Sequence, residues 1–219
     1  MAEQWVPEDL DPARLAAGIQ ACRGCELYAD ATQGVPGEGP LDARVMVVGE
    51  QPGDQEDKQG RPFVGPAGRL LARALEDAGL DAETVYRTNA VKHFRWERRG
   101  SNRLHKTPGR VHVTACGPWL VAEVDLVRPR GVVLLGATAG GAVYGSGFRV
   151  GRTRGTRLEW PGQLSGRSTS WQPEWVVPTA HPSSVLRSRD RDADYAALVD
   201  DLRTAADLAA GPTGGSAGE

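Results

Sequence analysis

Short apolar runs recur along the chain, each followed by a polar or glycine-rich stretch. They are Val45-Met46-Val47-Val48, Val85 to Ala90, Gly131 to Gly136 and Glu174 to Thr179. The first and third, apolar throughout and rich in β-branched residues, predict strands buried on both faces of a parallel sheet. Between the runs the period lengthens to that of helices. Leu15, Ala16 and Ile19 form a stripe on a helix over Asp11–Gln20, with Asp11 as N-cap and Pro12 in its first turn. Leu70, Leu71, Ala74 and Leu75 do the same over Ala67–Ala78, with Gly79 as the C-cap glycine. A helix opened by Pro108 and running to about Val127 has Val111, Ala115, Trp119, Leu120 and Val124 as its buried face; Gly117-Pro118 should kink or split it. Ala137–Val143 predicts a small-residue helix, and Asp192–Ala209 a last one, with Tyr195, Leu198, Val199 and Leu202 inward. Lys92–Thr107 and Phe148–Pro173 show neither period and predict loops, the second with room for a hairpin. Strands alternating with helices imply an α/β protein: a single three-layer α/β/α domain with a mainly parallel central sheet, over residues 1–209. The Gly/Ser-rich residues 210–219 are expected to be a disordered tail.

The chain is organised around Arg44 to Gly68, RVMVVGEQPGDQEDKQGRPFVGPAG. Its strand ends at Gly49, and Glu50, Gln51, Asp54, Glu56 and Asp57 follow. Ligands of open α/β sheets bind beyond the carboxyl ends of such strands. Gly49, Gly53, Gly60, Gly65 and Gly68 allow close backbone approach to a ligand, and Phe63 offers a stacking face. The same glycines also suit an ordinary long βα connection.

Composition adds little and charge placement more. A chain of 219 residues is large enough for one well-buried core, and its net charge of −2 is not that of a general nucleic-acid binder. Yet Arg95, Arg98, Arg99, Arg103, Lys106 and Arg110 cluster against the single acid Glu97, and Arg187, Arg189 and Arg191 form a second basic group. The acidic start MAEQWVPEDLDP lacks the apolar segment of a signal peptide, and no apolar run nears the roughly 18 residues of a membrane span. A cytoplasmic protein with no membrane contact is expected, and no protein partner is inferred.

Three cysteines cannot all pair, which favours a metal role in a reducing compartment. Cys22-x-x-Cys25 presents two thiolates to one ion, Cys116 supplies a third, and His93, just past a strand end, is the best fourth ligand. Taken alone, such a Cys3His set suits zinc better than a cluster held by four cysteines. Phe63 can stack on a flat base and Asn89 can read its edge, while His181 can hydrogen-bond a carbonyl; each also has an ordinary structural reading as core, turn or cap residue.

GEQPGDQEDKQGRPFVGPAG, with Asn89, HPSSVLR and the cysteine set, resembles the uracil-DNA glycosylase superfamily in its iron–sulfur branch, over nearly the whole chain. RLHKTP, Arg103 to Pro108, and Gln51 resemble the UdgX-like subgroup, whose members stay covalently attached to DNA after removing uracil. The stretch Ser101-Asn102-Arg103-Leu104-His105 departs from that subgroup, which usually shows a longer, more basic run ending in Ile-His. The resemblance implies the matching fold and excision of uracil from single- or double-stranded DNA. It implies a [4Fe–4S] cluster on Cys22, Cys25, His93 and Cys116. His105 becomes the nucleophile that traps the abasic sugar, with Glu50 and His181 as the other catalytic residues. Gln51, Asp54, Phe63 and Asn89 form the substrate-binding set, and Arg103, Lys106, Leu186 and Arg187 the DNA contacts.

Overall fold

The computed structural model describes residues 1–164 and 166–211. The expected tail therefore lies, from residue 212 on, outside the described residues. In chain order the elements are α1 (Pro12–Ala21), β1 (Val45–Gly49), α2 (Asp54–Gln59), α3 (Pro66–Asp77), β2 (Tyr86–Asn89), β3 (Trp96–Arg99), β4 (Asn102–His105) and α4 (Arg110–Val127). They continue with β5 (Gly131–Leu135), α5 (Gly136–Tyr144), α6 (Val150–Thr153), β6 (Gln163–Leu164), β7 (Arg167–Ser168), β8 (Trp175–Thr179), α7 (Pro182–Arg187) and α8 (Arg191–Ala210).

The central sheet has the order β2-β1-β5-β8, and every pair in it is parallel. Alternate strand residues face opposite layers. Val45, Val47, Val133, Leu135 and Val177 pack with Leu71, Leu75, Leu198 and Leu202 of α3 and α8. Met46, Val48, Val132, Leu134 and Val176 pack with Leu120 and Val124 of α4 and Ala139 and Val143 of α5. Each β1 residue is thus buried, which is why its sequence carries no polar alternation. A third cluster, with Leu15, Ile19, Cys22, Cys116 and Trp119, seats α1 on the outer side of α4. The three-layer α/β/α expectation holds.

Several local expectations do not. The loop after β1 holds a helix, α2, that has no apolar stripe to reveal it. Its ends stabilise it instead: Glu56 Oε2 accepts from the Gly53 amide at 3.1 Å, acids fill the first turn, and Gly60 closes it at φ 71°. The basic stretch after Lys92 is an antiparallel hairpin, β3 against β4, pairing Trp96 with His105 and turning at Gly100 with φ 60°. All four β3 residues are at least partly exposed, so no burial pattern marked it. Pro118 does not split α4, which runs as one helix through it. One hydrogen bond is forgone, but Gly117, Pro118, Trp119 and Leu120 are all buried there. That helix begins at Arg110, because the Gly109 amide donates to His112 Nδ1 at 2.8 Å, and Val111 points outward, 64% exposed. The segment around Leu186 and Arg187 is the short helix α7, capped by His181.

Candidate functional site

Because the strands are parallel, their carboxyl ends share one rim. Glu50 and Gln51 follow β1, Asn89 ends β2, Gly136 to Thr138 follow β5, and His181 lies two residues past β8. They line a cavity of about 680 Å³, together with Phe63, His105 and Arg187. The sequence reading placed these residues far apart in the chain, and the sheet brings them together.

Glycine makes the floor. A Cβ on Gly49 would stand 2.4 Å from Asn89 Oδ1 and 2.7 Å from Phe63 Cζ. Its absence lets the carboxamide and the ring converge on the strand end. Phe63 sits at φ 58°, a costly conformation for a non-glycine residue. Its carbonyl presses on Gly68, where a Cβ would lie 1.8 Å away, and so the bend is locked. Glu56 ties the loop together: besides Gly53, it accepts from the Gly65 amide at 2.7 Å.

Two histidines and the Glu50 side chain meet in the cavity. His181 Nδ1 accepts from the Ser183 amide at 3.1 Å, so in the neutral ring the proton sits on Nε2. Burial, then the charges of His105 and Arg187, lower its pKa to about 4. At neutral pH it is a neutral donor. His105, at the end of β4, has a half-exposed side chain with Nε2 3.4 Å from Glu50 Oε1. Burial lowers its pKa, Glu50 opposes that, and Arg187 adds to it. Glu50 Oε2 accepts from Thr138 Oγ1, which leaves Oε1 facing the histidine. Sequence reasoning missed Thr138, whose one signal was its place just past β5, and named Glu56 only as part of the polar cluster after β1.

Two expected contacts are redirected. Gln51 is 7% exposed, and its carboxamide bonds main chain only: Nε2 donates to the carbonyls of Arg95 and Lys106, and Oε1 accepts from the Arg95 amide. It clamps the two ends of the hairpin that carries His105. Arg103, expected on DNA phosphates, is turned inward. It pairs with Asp54 Oδ1 at 2.7 Å and Asp57 Oδ2 at 2.6 Å and lies over Phe94 and Trp96. Two carboxylates already match its charge, and Asp54 in turn is committed to Arg103 and Lys58. Lys106 faces outward, paired with Glu97 at 3.0 Å in an exposed contact that a phosphate can displace. Leu186 and the exposed Arg187 stand on α7, and Arg187 lines the cavity.

The cysteines lie behind this wall. Cys22 and Cys116 are buried in the cluster under α1, and Trp119 Nε1 donates to Cys22 Sγ at 3.4 Å. A hydrogen bond from Cys116 brings the Cys25 thiol down to about 6 against its own burial, while that bond and burial push Cys116 up. His93 is buried, and burial with the Arg23 charge lowers its pKa to about 4. Among the described residues no three His, Cys, Asp or Glu side chains are drawn together as a metal site. The donor chemistry nonetheless fits a soft metal group: the Cys25 and Cys116 thiols in hydrogen-bond contact, a neutral His93 imidazole, and an apolar cluster around Cys22 and Cys116.

Residues 36–203 match the profile of the uracil DNA glycosylase superfamily. The chain is 39% identical over 183 residues to a type-4 uracil-DNA glycosylase of Thermotoga maritima, covering 83% of this chain and 86% of that one. It is 40% identical over 168 residues to a type-4 uracil-DNA glycosylase of Archaeoglobus fulgidus, covering 77% and 79%. A type-5 uracil-DNA glycosylase of Pyrobaculum aerophilum is 37% identical over 140 residues, covering 57% and 58%.

Proposed function

The chain belongs to the uracil-DNA glycosylase superfamily, and from that premise we propose that it excises uracil from DNA and then holds the abasic sugar on His105, as the UdgX-like subgroup does. The observation that carries the second half is the placement of a neutral imidazole inside the base cavity, with Nε2 3.4 Å from Glu50.

The chemistry follows from the groups present. The target base leaves the helix and enters the cavity, with Phe63 against its face and Asn89 on its edge. As the bond from C1′ to N1 breaks, its electron pair departs with the uracil. The Nε2–H of His181 stabilises the oxygen on which that charge gathers. The sugar becomes cationic, and the Glu50 carboxylate opposes its charge. His105 Nε2 then attacks C1′ with its lone pair. The ring, now an imidazolium, loses its Nδ1 proton to solvent, which its half-exposed position allows. The neutral N-alkyl imidazole that remains is a poor leaving group, so the bond persists.

The DNA backbone is met by Lys106 and Arg187, and the apolar Leu186 wedges into the duplex beside the flipped base. Arg103, Gln51 and Asp54 instead hold the His105 hairpin in place. A second reading is turnover, with water in place of the imidazole, and the relatives named above favour it as much. The pH profile separates the two. Only neutral His105 attacks, and burial lowers its pKa. Adduct formation, followed on denaturing gels, should rise with pH through a midpoint below the ordinary histidine value of 6.5 and be flat at neutral pH. Adduct that forms with no such rise would exclude histidine as the nucleophile.

Cys22, Cys25, Cys116 and His93 would hold a [4Fe–4S] cluster, which when bound supplies a crosslink between the turn after α1 and the middle of α4. Protein purified without oxygen should be brown, with about four irons per chain. Zinc without iron would overturn this assignment.

A further inference from the structure

The mechanism leaves one buried ion pair unused. The side chains of Lys92 and Glu123 are both fully buried, with Nζ 2.7 Å from Oε2. Lys92 Nζ also donates to Thr88 Oγ1 at 2.7 Å and to the main-chain carbonyl of Asn89 at 2.9 Å. An ammonium has three N–H donors, and here each has its acceptor. Glu123 is equally engaged. Its Oε2 accepts from Thr88 Oγ1 at 2.7 Å, and its Oε1 accepts from the Gly37 amide at 3.0 Å.

Such a pair is poor evidence of stability. Desolvating two charges costs several kcal/mol per ion, and apolar side chains of similar volume hold two elements together as well. What apolar side chains cannot do is donate to the Asn89 carbonyl. That carbonyl sits where β2 leaves the sheet. The next two residues are fastened to β1 and its continuation, Ala90 N to Gly49 O at 2.9 Å and Val91 N to Glu50 O at 3.0 Å. Lys92 supplies the missing hold on Asn89 itself. With its carbonyl fixed from behind and the following amides fixed from the side, the backbone of Asn89 has little freedom to turn. Its carboxamide is thereby aimed at Gly49 and Phe63.

We propose that Lys92 is a positioning residue for base recognition, its buried ammonium holding Asn89 in register with the cavity and Glu123 holding the ammonium. This rests on the reading of Asn89 as the residue that meets the base edge.

Lys92→Met alone would strand the Glu123 carboxylate in the core, and its failure to fold would say little. The informative variant joins Lys92→Met to Glu123→Gln in the full chain, made with and without Asn89→Ala. Uracil release is measured under single-turnover conditions, alongside the melting temperature. The expected double variant melts cooperatively and releases uracil about ten- to a hundredfold more slowly, the loss that a misplaced contact brings. Added to Asn89→Ala, the same pair should cause no further loss, because both act through one contact. Thr88→Val removes the hydroxyl that accepts from Lys92 and donates to Glu123 but keeps both charges, and should give a smaller loss that also vanishes in the Asn89→Ala background. Release at the unmodified rate would overturn the proposal, as would losses that multiply in the combined variants. Full release by Asn89→Ala by itself would instead overturn the reading of Asn89, and the proposal with it.

Discussion

His105→Ser is expected to abolish the denaturation-resistant DNA adduct while leaving uracil release in place. Asn89 and His181, to which the proposed mechanism gives the departing base, stand at the end of β2 and on the cap of α7, away from the hairpin that carries the imidazole. Removing the ring also clears the space in front of Glu50, whose Oε1 faces His105 at 3.4 Å. Water can then reach the anomeric carbon, and attack there gives a free abasic site. The variant should therefore turn over. The hairpin should survive, because Gln51 clamps its ends through main chain and Arg103 is held by Asp54 and Asp57. Glu50→Gln in the same assay divides the roles of the carboxylate. Loss of both release and adduct means that it supports the cationic sugar; loss of the adduct alone means that it only orients His105. An adduct that survives His105→Ser would place the nucleophile elsewhere.

Gly49→Ala should be nearly as severe, for a steric reason. The added methyl would lie 2.4 Å from Asn89 Oδ1 and 2.7 Å from Phe63 Cζ. Neither neighbour retreats freely. Phe63 is locked by the contact of its carbonyl with Gly68, and the Asn89 main chain is held by Lys92. The methyl must displace both groups, which the proposed mechanism sets around the base. Uracil release should fall on the order of a hundredfold or more, because small misplacements at a reacting centre are costly. Overpacking at one strand end costs only about 1–3 kcal/mol, so the protein should still fold and melt cooperatively. Single-turnover uracil release and a thermal melt are the measurements. Release near the unmodified rate would mean that Asn89 and Phe63 do not frame the base.

Much of this was legible in the sequence, and the limits have physical causes. The sheet strands and the long helices announced themselves, because burial on both faces of β1 and on one face of α3 leaves a periodic trace. Phe63, Asn89 and His181 could be singled out because each lies in or beside a loop at the carboxyl end of a strand, and the fold brings all three to one cavity. Elements stabilised by something other than apolar burial were not. The α2 helix depends on its caps, the hairpin β3–β4 on main-chain pairing and a glycine turn, and α7 on the His181 cap. The fate of a charge was the least legible property. Arg103 and Lys106 look alike in a basic run, yet one is pinned by Asp54 and Asp57 while the other faces solvent beside Glu97. Which acids reach which arginine is decided by long-range packing, and no local spacing encodes it. The same holds for Lys92 and Glu123, 31 residues apart and joined only in the core.

The most direct measurement counts uracils. A known amount of protein is incubated with an excess of uracil-containing single-stranded DNA, and free uracil and shifted DNA are quantified on the same samples. The expected result is release that stops at about one uracil per active chain, with an equal amount of DNA migrating as a covalent protein adduct, since the catalyst is consumed when its nucleophile stays bonded to the sugar. Release that continues through many uracils per chain, with no shifted DNA, would contradict the trapping role of His105 and establish a turnover glycosylase.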